Sequence, residues 1–290
     1  MRIGTNVWPG YEPLYLADRL GYLDRDKIHL VEFPSANGVI RGLTNYSIDA
    51  GALTIDEVLR VVDRNIPVKI ILIMDISNGG DVILGRRYIE KFSELKGRRV
   101  AVEKSALGAY ILSRALTVNN MTAQDLQTVN VMISEQEQAF KNGKVDAVVT
   151  FEPVRRTLLS LGANELFSSR QIPGEIVDVL AVHEDYLKEN PYIINQLIGG
   201  WYKALEFIKK EPHKAAEHMS HRLQMSPQEV LDSFTLLHLP DRSEVKKMME
   251  RGTKSNLFTG IEGIKKMMLR EKLLKNDVPV ENLMNSRRLN

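Results

Sequence analysis

Two apolar runs flank a short polar segment in the first third of the chain. Residues 70–76 and 82–84 form the runs, and Ser77-Asn78-Gly79-Gly80-Asp81 joins them. Runs of this kind predict strands that are buried on both faces. Paired glycines beside Asn and Asp predict a place where the backbone turns or approaches another group closely. We therefore predict that the chain crosses here from one lobe to another, with a return crossing further along.

The segment before this crossing alternates strand and helix patterns three times, with short loops between them. Strand patterns at 2–7, 28–33 and 50–53 are each followed by a helix pattern. Thr54 and Glu57 have the spacing of a capping box at the start of the third helix. This alternation predicts a parallel sheet in an α/β fold.

A second α/β pattern follows the crossing. It ends at the apolar stretch 176–182, which we predict to be the return crossing, and from Pro191 onward the pattern is helical. The predicted organisation is one lobe from residues 1–77 and 183–290, a second lobe from residues 78–182, and a ligand cleft between them.

Composition and charge narrow the class of protein. The 290 residues are 43% hydrophobic and 26% charged, as expected of a globular protein with a large core. A formal net charge of +2 gives no reason to expect nucleic acid or a membrane surface as a partner. No apolar run has the length of a membrane-spanning helix. The absence of cysteine excludes disulfides, thiolate metal sites and a cysteine nucleophile.

The chain begins as a strand almost at its first residue. Arg2 is not preceded by the basic segment, the apolar segment or the cleavage site of a secretory signal. We expect a periplasmic or membrane-tethered extracytoplasmic protein if an export signal was removed, and otherwise a cytoplasmic protein.

An ordered series of short motifs extends from Trp8 to about Leu205. The motifs are Trp8-x-Gly10-Tyr11-x-Pro13-x-Tyr15-x-Ala17, Gly21-Tyr22, Asp49-Ala50-Gly51, Gly79-Gly80-Asp81, Leu95-Lys96-Gly97-x-x-Val100-Ala101-Val102, Ala139-Phe140-x-x-Gly143-x-Val145-Asp146-Ala147, Glu152-Pro153 and Asp178-Val179-Leu180. Together they resemble one family, the nitrate/sulfonate/taurine and thiamine-pyrimidine group of solute-binding proteins.

The resemblance implies a type II periplasmic binding protein fold. This is a two-lobed α/β architecture in which each lobe is a sheet flanked by helices, with two hinge crossings and a helical C-terminal tail. It also implies a monomer that closes over a small organic solute, of sulfonate or taurine, amine or pyrimidine type. The protein would deliver that solute to the membrane permease of an ABC transporter, without catalysis and without a cofactor.

Candidate ligand-binding residues follow from the predicted sheets. In an open sheet, ligands bind at the carboxyl ends of parallel strands, where helix N-termini offer N–H groups. These ends and the two crossings nominate Trp8, Tyr11, Glu12, Ser35, Asn37, Thr54, Ser77, Asn78, Asp81, Ser105, Phe151, Glu152 and Asp178. We expect neither catalytic residues nor metal ligands among them.

The chemistry of these residues favours a neutral or cationic solute. Trp8 and Tyr11 offer flat apolar surface with a polar group at one end. Carboxylates are frequent, whereas Lys104 is the single basic residue that we predict at a strand end. An amine or an aminopyrimidine fits this set, with an anionic tail at the helix that Ser105 opens. Asp178 lies in an apolar strand and needs a partner, so a hinge hydrogen bond and a ligand contact explain it equally well.

Two other functions fit the same fold and stay open at this point. One is a cytosolic enzyme that acts on a small aromatic acid or a pyrimidine, although the pyrimidine-synthesising relatives carry a cysteine-rich motif that this chain lacks. The other is the ligand-sensing domain of a membrane receptor.

Overall fold

The computed structural model describes residues 1–103, 107–250 and 257–285. The described strands are β1 (Arg2–Thr5), β2 (His29–Glu32), β3 (Ala50–Thr54), β4 (Val68–Ser77), β5 (Asp81–Gly85), β6 (Arg99–Val102), β7 (Gln127–Asn130), β8 (Ala147–Phe151), β9 (Asn164–Ser168), β10 (Val177–His183) and β11 (Leu237–His238). The described helices are α1 (Glu12–Arg19), α2 (Ala36–Thr44), α3 (Ile55–Val62), α4 (Leu107–Val118), α5 (Ile133–Lys141), α6 (Val154–Ser160), α7 (Glu184–Glu189), α8 (Pro191–Lys210), α9 (Pro212–Leu223), α10 (Pro227–Phe234), α11 (Arg242–Met249) and α12 (Leu257–Arg270).

The strands form two sheets in two compact units. Unit 1 contains Met1–Ile76 and Val177–Asn290, and unit 2 contains Ser77–Ile176. The strand order is β11-β4-β10-β3-β1-β2 in unit 1 and β7-β6-β8-β5-β9 in unit 2. The long apolar strand β4 belongs to the first sheet and β5 belongs to the second, as the predicted crossing requires.

The sheet of unit 1 is mixed: β1, β2 and β3 are parallel, as the alternating pattern predicts, and β10 adds an antiparallel strand. Strand β10 is antiparallel to both of its neighbours, β3 and β4. Every residue of β10 is buried. A strand that is buried on both faces has the same apolar pattern in either direction, so the pattern does not reveal the direction.

The boundary of the second lobe lies at Ile176, earlier than the predicted boundary at residue 182. Residues 178–182 pair with β3 and β4 in the sheet of unit 1 and therefore belong to the first lobe. Val177 pairs with Ile76 within unit 1, and the Ser77 N–H donates to the Ile176 carbonyl at 3.0 Å within unit 2. The two connecting segments therefore run side by side where the chain leaves and re-enters unit 1.

The glycine-containing turn between β4 and β5 is held within unit 2. The Gly79 N–H donates to Ser169 Oγ at 2.6 Å, and Ser77 Oγ lies 2.9 Å from the same atom. Gly79 has a φ of +110°, in the region that L side chains rarely adopt. The paired glycines predict a turn here, and the backbone conformation at Gly79 requires a glycine.

Each unit has an apolar core beside its sheet. In unit 2, Val82, Leu84 and Val148 of the sheet pack with Phe140 of α5 and Leu158 of α6. In unit 1, the long helix α8 packs against α1 and buries its apolar positions. Within the described residues, no helix combines the length and the apolar character needed to cross a membrane.

Two adjacent glycines of α8 test the packing of that helix. A Cβ at Gly200 would lie 2.4 Å from Leu23 Cδ2 and 3.0 Å from the Tyr22 carbonyl oxygen. We therefore expect Gly200→Ala to lower the free energy of unfolding by about 1–3 kcal/mol. The matched variant Gly199→Ala meets no heavy atom within 4 Å, so it should be neutral or stabilising by about 0.5–1 kcal/mol. Chemical denaturation followed by circular dichroism measures both, and equal losses would contradict this packing.

Candidate functional site

The loop that follows β1 carries three of the predicted site residues and is buried. Trp8 is 4% exposed, Tyr11 is 3% exposed and Glu12 is 1% exposed. Pro9–Tyr11 forms one turn of 3-10 helix, closed by the Tyr11 N–H on the Trp8 carbonyl at 3.0 Å, and α1 follows directly. The aromatic side chains therefore stand at the carboxyl end of β1, where the sequence places them.

Both aromatic side chains are hydrogen-bonded to buried carboxylates of the sheet. Trp8 Nε1 donates to Asp75 Oδ2 of β4 at 3.1 Å, and the Tyr11 hydroxyl donates to Asp178 Oδ1 of β10. Asp75 is fully buried and Asp178 is 2% exposed. A buried carboxylate requires donors, so these bonds stabilise the loop on the sheet.

Thr54, Asp178 and Asp75 form one row across three neighbouring strands. In the antiparallel register, Asp178 of β10 lies opposite Thr54 of β3 on one side and opposite Asp75 of β4 on the other. Opposed residues point to the same face of a sheet, so the two carboxylates are close to one another as well as to the aromatic loop.

The loop approaches β4 so closely that position 10 admits only glycine. A Cβ at Gly10 would lie 1.8 Å from Asp75 Oδ2 and 2.6 Å from Trp8 Nε1. Any side chain would therefore displace the hydrogen bond between Trp8 and Asp75.

The pKa of Tyr11 is raised, so its hydroxyl stays a donor. Burial has the largest effect on this pKa, and the negative charge of Asp178 adds to it. Ionisation of the phenol would place a second negative charge beside the carboxylate. Tyr11 is therefore suited to hold Asp178 rather than to exchange a proton.

Glu12 is paired with an arginine from the C-terminal part of the chain. Arg222, in the last turn of α9, donates from Nη1 to Glu12 Oε1 and from Nη2 to the Asn6 carbonyl at 3.2 Å. Its Nε lies 2.8 Å from Glu32 Oε2, and its Cζ lies 3.6 Å from the centre of the Tyr15 ring. These contacts fix the guanidinium at the end of β1.

Burial raises the pKa of Glu12 to about 7, and the charge of Arg222 acts against this shift. The Glu12 Oε2 atom and the Asn6 Oδ1 atom have no hydrogen-bond partner among the described residues, although both are buried. The end of β1 thus combines an ion pair with two acceptor atoms that have no donor among the described residues.

At the end of β3, Thr54 and the first turn of α3 form a capping arrangement. The Thr54 N–H donates to Glu57 Oε2 at 3.0 Å, as the capping-box pattern predicts, and Thr54 Oγ1 donates to Asp56 Oδ1 at 2.7 Å. Burial raises the pKa of Asp56, with Thr54 and the nearby Arg60 acting against it. Ser35 is the N-cap of α2 and is buried, but its side chain makes no capping hydrogen bond; Asn37 is partly exposed.

The remaining predicted residues belong to unit 2. Asp81 and Phe151 pair across β5 and β8, and Glu152 follows directly. Glu152 is 1% exposed, and its Oε1 accepts from Arg155 Nη1 at 3.0 Å. Burial raises its pKa. Asn78 is exposed in the turn after Ser77.

Ser105 lies outside the described residues. The structure thus brings Trp8, Tyr11, Thr54 and Asp178 together in unit 1, and Asp81, Phe151 and Glu152 together in unit 2.

Three residues of the site are absent from the sequence-based set. Asp75 carries the same signal that selected Asp178, a carboxylate inside an apolar strand, and was overlooked. Asn6 precedes the aromatic loop without any special pattern. Arg222 gives no signal, because it reaches β1 from a helix late in the chain. Its presence corrects the prediction that Lys104 is the single basic residue at a strand end.

The bond between Tyr11 and Asp178 predicts a cost for removing the phenol. We expect Tyr11→Phe to lower the free energy of unfolding by about 1–3 kcal/mol, because a buried carboxylate loses a donor. Tyr192→Phe is the control, since Tyr192 is 68% exposed. Urea denaturation measures both variants, and an unchanged Tyr11→Phe protein would show that the hydroxyl does not hold Asp178.

The raised pKa of Glu12 predicts a pH dependence of stability. Folded protein binds the Glu12 proton more tightly than unfolded protein does, so this group stabilises the fold at low pH. The contribution is lost as the pH rises from about 4.5 to about 7. We measure the free energy of unfolding as a function of pH. We expect Glu12→Gln to remove the decrease that Glu12 causes between pH 4.5 and about 7, and the control Glu206→Gln, at an exposed position, to retain that decrease. Identical slopes in all three proteins would contradict the shift.

Comparison with protein families gives one match that covers most of the chain. The family model described as NMT1/THI5 like matches residues 8–215. The taurine-binding periplasmic protein of Escherichia coli (strain K12) is 21% identical over 166 residues. That match covers 56% of this chain and 52% of the relative, so it spans about half the length of that protein.

Solved structures match over nearly the whole chain. The alkanesulfonate-binding protein SsuA from Xanthomonas axonopodis pv. citri, bound to MOPS, has a TM-score of 0.83 at 17% identity, with 99% of this chain and 98% of that chain covered. The aliphatic sulphonate binding protein SsuA from Escherichia coli has a TM-score of 0.80 at 18% identity, with 98% and 96% covered. These matches confirm the two-lobed periplasmic binding protein fold, and the family match, which includes the aromatic loop after β1, shows that the chain belongs to the NMT1/THI5-like family.

Proposed function

We propose that this protein is the solute-binding component of an ABC importer. It binds a small organic solute at the carboxyl ends of the strands of unit 1 and delivers it to a membrane permease. The observation that carries the proposal is the buried row of Thr54, Asp178 and Asp75, to which the loop with Trp8 and Tyr11 is hydrogen-bonded. Ligands of open α/β sheets bind at such strand ends.

The engagement of these groups supports binding rather than catalysis. The pKa of Tyr11 is raised, so its hydroxyl keeps its proton at neutral pH and donates to Asp178, while the Trp8 indole donates to Asp75. A general acid or base needs a group that exchanges its proton with the substrate. Here the described groups instead hold one another in fixed positions, which suits a preorganised receptor.

The relatives narrow the class of solute. One of them is named as a taurine-binding protein and another as an alkanesulfonate-binding protein. We infer that this protein binds a solute of similar size to taurine, namely a small sulfonate, an amine or a pyrimidine. An extracytoplasmic location, a monomeric state and a permease partner belong to the same proposal. That residues of unit 2, among them Asp81 and Glu152, also contact the solute stays a prediction.

A thermal-shift screen of sulfonates, amines, pyrimidines and oxyanions tests the function. A ligand at a hundred times its Kd should stabilise the protein by about 2.7 kcal/mol, because it binds the folded chain alone. Isothermal titration calorimetry of each hit should give one site per chain.

Two variants link a hit to unit 1. Trp8→Leu removes the indole that contacts Asp75 and should abolish the shift, whereas the exposed Tyr192→Leu should keep it. If no compound raises the melting temperature, and a member of the screen is instead converted to product, the protein is an enzyme and the receptor proposal is wrong.

A further inference from the structure

Two buried oxygen atoms near the end of β1 lack a hydrogen-bond partner among the described residues. They are Glu12 Oε2 and Asn6 Oδ1, in residues that are 1% and 6% exposed. Buried polar atoms are nearly always hydrogen-bonded, because their removal from water without a partner costs free energy. When Glu12 is ionised both atoms are acceptors, so the group that satisfies them has to be a donor.

One guanidinium contacts both residues, Glu12 through its side chain and Asn6 through its backbone. Arg222 donates from Nη1 to Glu12 Oε1 and from Nη2 to the Asn6 carbonyl, so both residues meet at the same group. Its third nitrogen, Nε, lies against Glu32, and the Tyr15 ring covers its face. The guanidinium of Arg222 is thus held by atoms other than Glu12 Oε2 and Asn6 Oδ1. These two oxygens are left for another donor.

The charge around these atoms favours a cation. The carboxylates of Glu12 and Glu32 share the single guanidinium of Arg222, so the group carries an excess negative charge when Glu12 is ionised. An ammonium group carries the opposite charge and three donors on one small nitrogen. A hydroxyl group of the same size carries one donor and no charge.

The two acceptors also flank the aromatic loop. Asn6 comes directly before residues 7–11 and Glu12 directly after them, so they bound the segment that carries Trp8 and Tyr11. Both acceptors therefore belong to residues that adjoin the predicted ligand-binding segment in the sequence.

We propose that Glu12 Oε2 and Asn6 Oδ1 bind the protonated primary amine of the solute. The inference rests on the proposed function and deepens it, because it selects solutes with an amino group, such as small aminosulfonates, from the wider class. Arg222 is a positioning residue in this subsite, since it holds the other oxygen of Glu12 and the backbone of Asn6 without contacting the amine.

Pairs of compounds that differ only in an amino or a hydroxyl group test the subsite. The pairs are 2-aminoethanesulfonate against 2-hydroxyethanesulfonate, and an aminomethylpyrimidine against its hydroxymethyl counterpart. Calorimetric titrations of the full chain are carried out at pH 8, where Glu12 is ionised. In any pair of which a member binds, we expect the amino compound to bind at least tenfold more tightly than the hydroxyl compound. Glu12→Gln should remove this preference, and the exposed Glu206→Gln should keep it.

A second variant covers the case in which Glu12→Gln does not fold. Asn6→Ala removes one acceptor and leaves the ion pair of Glu12 with Arg222 intact. We expect it to weaken binding of the amine severalfold and to weaken binding of the hydroxyl compound by less, so that the preference for the amine falls.

The outcomes separate this inference from the function on which it rests. Equal binding of both members of a pair by the wild-type protein overturns the amine subsite and leaves the receptor function standing. An amine preference that survives in both variants overturns it as well. If neither pair nor any compound of the wider screen binds, the proposed function fails, and the subsite fails with it.

Discussion

The structure of unit 1 depends on two carboxylates that lie opposite each other inside its sheet. Asp75 of β4 and Asp178 of β10 are both buried and lie opposite each other, and buried carboxyl groups require hydrogen-bond partners. The loop after β1 supplies them through the Trp8 indole and the Tyr11 hydroxyl. Because β4 and β10 lead to and from unit 2, the aromatic loop is attached to the strands that connect the two units.

A second polar group joins the C-terminal helices to the same place. Arg222 of α9 neutralises Glu12 and binds the backbone after β1, so the helical tail contributes a charged residue to the candidate site. The tail therefore has a role in the chemistry of the strand ends, in addition to covering the core. Its arginine occupies Glu12 Oε1 and leaves Glu12 Oε2 without a hydrogen-bond partner among the described residues.

The sequence predicted the site as far as local pattern extends. Apolar runs and helix-start patterns place Trp8, Tyr11 and Thr54 at strand ends, since burial and capping depend on neighbours a few residues away. Asp178 was selected because a carboxylate in an apolar strand is costly, and the same reasoning applied to Asp75 would have found it. Strand β9 has a mixed pattern of apolar and polar residues, so its place at the edge of the second sheet depends on its pairing with β5.

The sequence by itself determined the α/β class, the crossing between β4 and β5 and the family. These properties follow from periodicity, glycine positions and ordered motifs, which are local. The tertiary structure decided the direction of β10, the pairing of Asp178 with Tyr11 and the position of Arg222 beside Glu12. A strand buried on both faces has no directional pattern, and contacts between residues far apart in the chain depend on how the helices pack.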